Sequence, residues 1–247
     1  MLENALVSAT HWYKANPHLS VIRKWVNQLY YDPSVIHIKP ANFDYIVADG
    51  CKYLLNDQVN EVERFTNNKF LTNVKPTDNI LDIGAHIGGD VIPLAMLASR
   101  GTVYAVEPVF SDVLRKNVIL NNLQNVHIIP YGLGKDNRNE EFNYGSHKRQ
   151  SGYKPFKEYK RICGKIDFLW CNCEGGEWSI QPEDLSGIRE MRFMFHVRTG
   201  KGTEDKASER AMLRWLNKED YNLETREFNW QPNVLFKECY WLKASKC

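Results

Sequence analysis

The spacing of apolar positions changes character along the chain. After Ser20, the residues Val21, Ile22, Trp25, Val26 and Leu29 recur three and four apart, which predicts a helix that Asp32-Pro33 ends. Phe43 to Val47 and Lys52 to Leu55 flank Asp49-Gly50, and an Asp-Gly pair between strand-like runs predicts a hairpin. Val59, Val62 and Phe65 mark a further helix within 58–70. Together these predict a helical and hairpin extension over residues 1–75, with the main domain over 76–247.

From residue 78 short apolar runs alternate with helical patterns. Strands are predicted at 79–83, 102–106, 126–129, 166–171 and 192–197, and two more close the chain near 222–228 and 234–242. Helices are predicted at 91–100, with Pro93 in the first turn and Gly101 at the end, and at 111–120, capped by Ser111 and closed by Asn121-Asn122. Another contains Ala211, Leu213, Trp215 and Leu216. Such alternation predicts an α/β fold, a mainly parallel sheet covered by helices on both faces.

Composition narrows the classes. The chain has 247 residues with 43% hydrophobic and 25% charged, ordinary for a globular protein. Its formal net charge of +2 gives no reason to expect nucleic acid as a partner. No apolar run approaches the roughly 20 residues of a membrane span. The start, Met1-Leu2-Glu3-Asn4, lacks a basic region followed by an apolar stretch, so a cytoplasmic location is expected. The six cysteines are then read as reduced thiols, with Cys171 and Cys173 pointing to one face of a strand.

Candidate chemistry centres on Asp82-Ile83-Gly84-Ala85-His86-Ile87-Gly88-Gly89, placed between a buried strand and a helix. That position puts a glycine turn at the carboxyl edge of the sheet, where doubly wound folds bind ligands. Gly84 is expected to let a cofactor lie against the backbone, and Gly88 to let the helix start tightly. A dinucleotide loop would carry a glycine where His86 stands, and Asp82 would repel a pyrophosphate. The same features suit S-adenosyl-L-methionine, which has a cationic sulfonium and an ammonium and no phosphate. Glu107, at the end of the second strand of the domain, is placed to accept hydrogen bonds from ribose hydroxyls.

The sequence resembles the FkbM family of methyltransferases. The resemblance rests on Leu81 to Gly88, Val103-Tyr104-Ala105-Val106-Glu107-Pro108, Leu114-Arg115-Lys116-Asn117, and Asn121-Asn122. It continues through Tyr131-Gly132-Leu133-Gly134, Glu174-Gly175-Gly176-Glu177 and Asn233-Val234-Leu235-Phe236, in the family's order over about residues 78 to 240. It implies a Rossmann-like class I methyltransferase sheet, mostly parallel with an antiparallel C-terminal strand, and methyl transfer to oxygen, commonly on a sugar or secondary metabolite. Asp82, Gly84, Ala85, His86, Gly88, Glu107, Pro108, Gly132 and Asn172 are the cofactor-binding candidates. Asn172 stands where the family usually has a carboxylate, so a divalent metal is not favoured.

Glu174 and Glu177 follow the fourth strand, where either would accept a proton or bind a sugar hydroxyl; Glu177 alternatively complements a helix dipole. His196, near the end of the fifth strand, is the histidine candidate for general base. The polar stretch Asn137 to Gly164, with Tyr144, Tyr153, Phe156 and Tyr159 among its lysines and arginines, is read as a long connection over the ligand edge. Trp12, Trp25, Tyr30 and Tyr31 are read as core packing. A sugar or glycan is the expected acceptor; a lipid, polyketide or protein acceptor, or an idle binding module, are the alternatives.

Overall fold

The computed structural model describes residues 45–48, 50–54, 73–144, 147–227 and 236–246. The helices predicted after Ser20 and within 58–70, Trp12, Trp25, Tyr30, Tyr31, and the Asn233-Val234-Leu235 stretch lie outside the described residues.

A seven-stranded sheet organises the chain in the order β11-β12-β10-β9-β3-β4-β5. Its parallel members are β3 (Asn79–Ile83), β4 (Thr102–Val106), β5 (Val126–Ile129), β9 (Phe168–Cys171) and β10 (Glu190–Arg198). The strand β12 (Phe236–Ser245) runs antiparallel to both β10 and β11 (Asn222–Glu227). This is the expected α/β sheet with an antiparallel C-terminal strand. Chain order reverses between β3 and β9, so the carboxyl ends of β3, β4, β9 and β10 open a crevice there.

The strands form because their side chains are apolar on both faces. Leu81 and Ile83 of β3 join Phe193 and Phe195 of β10 in one layer. Ile80, with Val103, Ala105, Phe168 and Trp170, fills the other. There α1 (Val91–Leu97) and α2 (Ser111–Leu120) cover them through Val91, Leu94 and Leu114. Each such buried side chain contributes about 1.5–3 kcal/mol. The opposite layer is covered by α3 (Phe156–Cys163), whose Phe156 and Tyr159 are buried, and by α4 (Gly202–Lys218) through Met212 and Leu216.

Local departures have local causes. The helix α1 stops at Leu97 instead of Arg100 because Asn125 Nδ2 takes the carbonyls of Ala95 and Ala98, and the Arg100 N–H turns to Pro76 O. Ser111 is the first helical residue of α2, not its cap. The ordered strand β9 starts at Phe168, but Asp167 continues the pairing: its N–H donates to Asn79 O and its carboxylate accepts the Asn79 N–H.

The largest correction concerns 137–164. Instead of a loop, β7 (Arg138–Tyr144) and β8 (His147–Lys154) form an antiparallel pair, joined to β6 (Tyr131–Leu133), and α3 follows. Of its aromatics, Phe156 and Tyr159 are core residues, and the Tyr159 hydroxyl donates to Gly132 O at 2.8 Å.

The expected hairpin is present as β1 (Tyr45–Ala48) and β2 (Cys51–Leu54). Its second strand is fastened to α2 by two amides. Asn117 Oδ1 accepts the Leu54 N–H at 2.8 Å, while Asn121 accepts the Lys52 N–H at 2.8 Å and donates to Lys52 O at 2.6 Å. The other end of the Asn117 amide donates to Ile87 O, in the glycine loop, at 2.7 Å. Among the described residues no helix is long and apolar enough to cross a membrane.

Candidate functional site

Register brings the chemistry to one level. Ile83 pairs with Val106 on one side and Cys171 on the other, so Gly84, Glu107 and Asn172 leave the sheet together. Above them lies a cavity of about 1250 Å³. Of the sequence-predicted residues, Gly84, Ala85, His86, Glu107, Pro108, Gly132, Asn172, Glu174 and His196 line it. Asp82, Gly88 and Glu177 stand one layer behind.

Gly84 serves a different purpose from the one expected. At φ +89° its Cα lies against the backbone of the adjacent strand end, and a Cβ there would sit 1.8 Å from Asn172 O. The close approach is between two segments of the protein. In the next turn His86 takes a φ of +50°, so it occupies the missing glycine's position with a glycine-like backbone. Its ring packs edge-on against Phe110.

Asp82 shares a face with its register partners Ala105 and Trp170 and is fully buried. Neither carboxylate oxygen has a hydrogen-bond partner. Burial first, then the charges of Asp90 and Glu107, push its carboxyl well above the usual aspartate range. Asp90, which sequence reasoning did not single out, lines the cavity itself.

Glu107 is buried and turned into the backbone. One oxygen accepts the His86 N–H at 2.8 Å; the other accepts the N–H groups of Val109 and Phe110 at 2.6 and 2.9 Å. Burial raises its carboxyl above the ordinary value against the lowering effect of these bonds and of Arg149. Three of about four acceptor positions are thus occupied, leaving room for one further donor rather than two. Asn172 offers a buried Oδ1 without a partner at the same rim. A set of buried carboxylates with unfilled acceptors fits a cationic nucleoside and would repel a pyrophosphate.

Across the cavity the chain brings two of the three proposed catalytic residues into direct contact. Glu177, in a short 3-10 turn (Gly176–Ser179), is fully buried. Its Oε1 accepts the His196 backbone N–H at 2.6 Å and lies 3.1 Å from His196 Nδ1; its Oε2 accepts the Gly175 N–H at 2.9 Å. Glu174, half exposed and at φ +56°, places Oε2 at 3.9 Å from His196 Nε2. Burial of His196 disfavours its charged form, but Glu177, by charge and hydrogen bond, and Glu174 outweigh this and raise its pKa above 6.5.

The thiols are quiet. All described cysteines are free. Cys171 and Cys173 do share a face, with sulfurs 3.6 Å apart. Their mutual hydrogen bond and burial push Cys173 well up, burial raises Cys171, and burial raises Cys239 to about 12. Neutral thiols of this kind are poor nucleophiles. Among the described residues no three His, Cys, Asp or Glu side chains are grouped as a metal site.

Of the outer wall, sequence reasoning named Tyr153, in its connection over the ligand edge, but not Phe142 or Arg138. Phe142 and Tyr153 of the β7–β8 pair stack on each other, Arg138 lies over the Tyr153 ring at 4.0 Å, and all three line the cavity. Opposite, Arg198 is held by Asp205 through hydrogen bonds of 3.1 and 2.6 Å. The Gly145-Ser146 pair between Tyr144 and His147 was the available signal for that hairpin.

Comparison with solved structures places this arrangement. The chain is similar to the Methanococcus jannaschii fibrillarin pre-rRNA processing protein at 13% identity, over 87% of this chain and 83% of that one, with a TM-score of 0.51. It is similar to M. jannaschii TYW2 in complex with AdoMet at 14% identity, over 85% and 90%, with a TM-score of 0.50. The methyltransferase FkbM from Methylobacillus flagellatus KT matches at 16% identity over 72% of this chain and 47% of that one, with a TM-score of 0.50. The fold is that of Rossmann-like methyltransferases. At these identities the likeness is one of fold. No protein-family model matches the sequence, and no curated protein matches it.

Proposed function

We propose that the chain is an S-adenosyl-L-methionine-dependent O-methyltransferase acting on a sugar hydroxyl of a glycan or glycoconjugate. One observation carries the cofactor: the glycine loop at the strand-order reversal is surrounded by Asp82, Asp90 and Glu107, which favours a cationic ligand over a phosphorylated one. A fold neighbour crystallised with AdoMet supports the same reading. When bound, the cofactor supplies a methyl group on a positively charged sulfur. Gly84, Ala85 and His86 would flank it, Glu107 would hold the loop through the His86 amide and accept one ribose hydroxyl, and Asn172 Oδ1 would accept a donor. Pro108 and Gly132 would close its sides, Gly88 would shape the loop, and Asp82, one layer behind, would give up its proton as the cation binds.

The acceptor reading rests on the outer wall. Phe142, Tyr153 and Trp178 line the cavity together with Glu141, Glu174 and Arg138, a mixture of ring edges, carboxylates and a guanidinium that suits a sugar ring with its hydroxyls. The protein's work is alignment of that hydroxyl and removal of its proton.

Calorimetry with S-adenosylhomocysteine and labelled-methyl transfer to a panel of glycans, lipids, proteins and RNA test the two halves separately. RNA belongs in the panel because a fold neighbour is a pre-rRNA processing protein. Binding should be measurable, and Asp82→Asn or Glu107→Gln should weaken the cationic S-adenosylmethionine at least tenfold, about 1.4 kcal/mol. Label should appear on a glycan. No heat with either nucleoside would identify an idle module; label on RNA, lipid or protein alone would overturn the sugar.

A further inference from the structure

Three observations isolate one nitrogen atom. First, Glu177 does not line the cavity, whereas His196 and Glu174 do. Second, the ring nitrogen Nδ1 of His196 faces Glu177 Oε1 at 3.1 Å, while Nε2 lies on the Glu174 side at 3.9 Å. Third, the His196 backbone is fixed at both polar groups: its N–H donates to Glu177 Oε1 at 2.6 Å and its carbonyl accepts the Trp178 indole N–H at 2.6 Å. A carboxylate facing Nδ1 makes that nitrogen the donor, which leaves Nε2 as the basic atom of a neutral ring.

We propose that Glu177 and His196 form a carboxylate–imidazole pair in which His196 Nε2 removes the acceptor's proton and Glu177 is the positioning residue that sets the ring's tautomer and orientation. This deepens the methyl-transfer reading and rests on it for the acceptor, but the pair itself is a property of the chain. The acceptor oxygen bonds to the methyl carbon as the carbon–sulfur electron pair goes to sulfur, and the hydroxyl proton goes to Nε2. The imidazolium so formed stands between two carboxylates, Glu177 buried and Glu174 half exposed, and Glu174 passes the proton to solvent. Such proton removal is worth about 10²–10⁴-fold in rate.

The other titratable groups around the ring leave this assignment intact. Cys239, the register partner of His196 on β12, and Cys173, 3.5 Å from Glu177 Oε2, are thiols held neutral. Arg198, two positions along β10, is committed to Asp205. A purely structural role for Glu177, bonding the Gly175 and His196 amides through its two oxygens, would be indifferent to the tautomer.

The test uses the full chain labelled with ¹⁵N-histidine, with His196 assigned by loss of its signals in His196→Asn. Long-range ¹H–¹⁵N spectra should show the Nδ1–H tautomer at high pH and a pKa above 6.5. Glu177→Gln, which keeps one of the two amide bonds, should still bind S-adenosylhomocysteine but titrate His196 lower than the parent, because the charge of Glu177 no longer offsets burial. In labelled-methyl transfer, activity of the parent should rise with pH through the His196 pKa, and His196→Asn should lose at least 100-fold. An Nε2–H tautomer in the parent overturns the proposal without any variant. So does an unchanged His196 titration in Glu177→Gln, or an undiminished rate in His196→Asn. Absence of S-adenosylhomocysteine binding by the parent would instead overturn the methyl-transfer reading, and the tautomer and titration would still judge the pair.

Discussion

Gly84→Ala gives the sharpest test of how the site is built. The added methyl carbon would lie 1.8 Å from Asn172 O and 2.7 Å from Asn172 C, where carbon atoms rest about 3.5–4.0 Å from their neighbours. Relief requires β3 and β9 to part at their ends by roughly 1.5 Å or more. Neither end is loose: the Asn172 N–H donates to Ile83 O at 2.9 Å and the Gly84 N–H to Val106 O at 3.0 Å. Alanine at φ +89° adds about 1–2 kcal/mol of backbone strain, and the overlap about 1–3 kcal/mol. At about 2–4 °C per kcal/mol for a chain of this size, the melting temperature should fall by about 4–20 °C. Affinity for S-adenosylhomocysteine should fall with it, since Asn172 and Cys173 would be displaced from the cavity wall. Thermal melting followed by circular dichroism, with calorimetry on the same samples, makes the measurement. A variant melting within 2 °C of the parent and binding normally would refute the claim that the glycine serves this backbone contact.

Asn117→Ala strands the Leu54 N–H and Ile87 O together, so unfolding by urea should show a loss of about 2–4 kcal/mol; a loss below 0.5 kcal/mol would mean that neither bond matters. Asp82 gives a pH signature: its folded carboxyl holds a proton that the unfolded chain has already released, so the parent loses stability as pH rises from about 4 through the raised value. Asp82→Asn has no such proton, and its stability relative to the parent should climb over that window; urea curves at several pH values that stay parallel would contradict this. Tyr159→Phe removes the hydroxyl bonded to Gly132 O and should cost about 1–2 kcal/mol in the same assay, with no loss counting against that contact.

The central sheet was readable because its strands are buried on both faces: β9 is Phe-Leu-Trp-Cys, and β10 is buried from Glu190 to Val197. A continuous apolar run such as β9 marks a parallel strand without needing alternation. The β7–β8 pair escaped because Arg138-Asn139-Glu140-Glu141 is polar at every position, so neither face announces a core. The glycine loop was located correctly, yet the reason for Gly84 lies in Asn172, far along the chain. Likewise His196 and Glu177 were named separately; their pairing depends on how the 3-10 turn folds back over β10. Asp82 falls behind the cavity wall because strand alternation sends it toward Ala105 and Trp170, which the sequence implies only once the register is known.

The amide of Asn117 spans two segments that sequence order keeps apart, one end on the hairpin strand β2 and the other on the glycine loop. One side chain thus ties the hairpin to the loop at the sheet's carboxyl edge. A chain shortened to begin at β3 would release the outer anchor of that bridge, and the loop would have to be immobilised anew each time a nucleoside arrived. The entropy otherwise spent once, during folding, would be charged against every binding event.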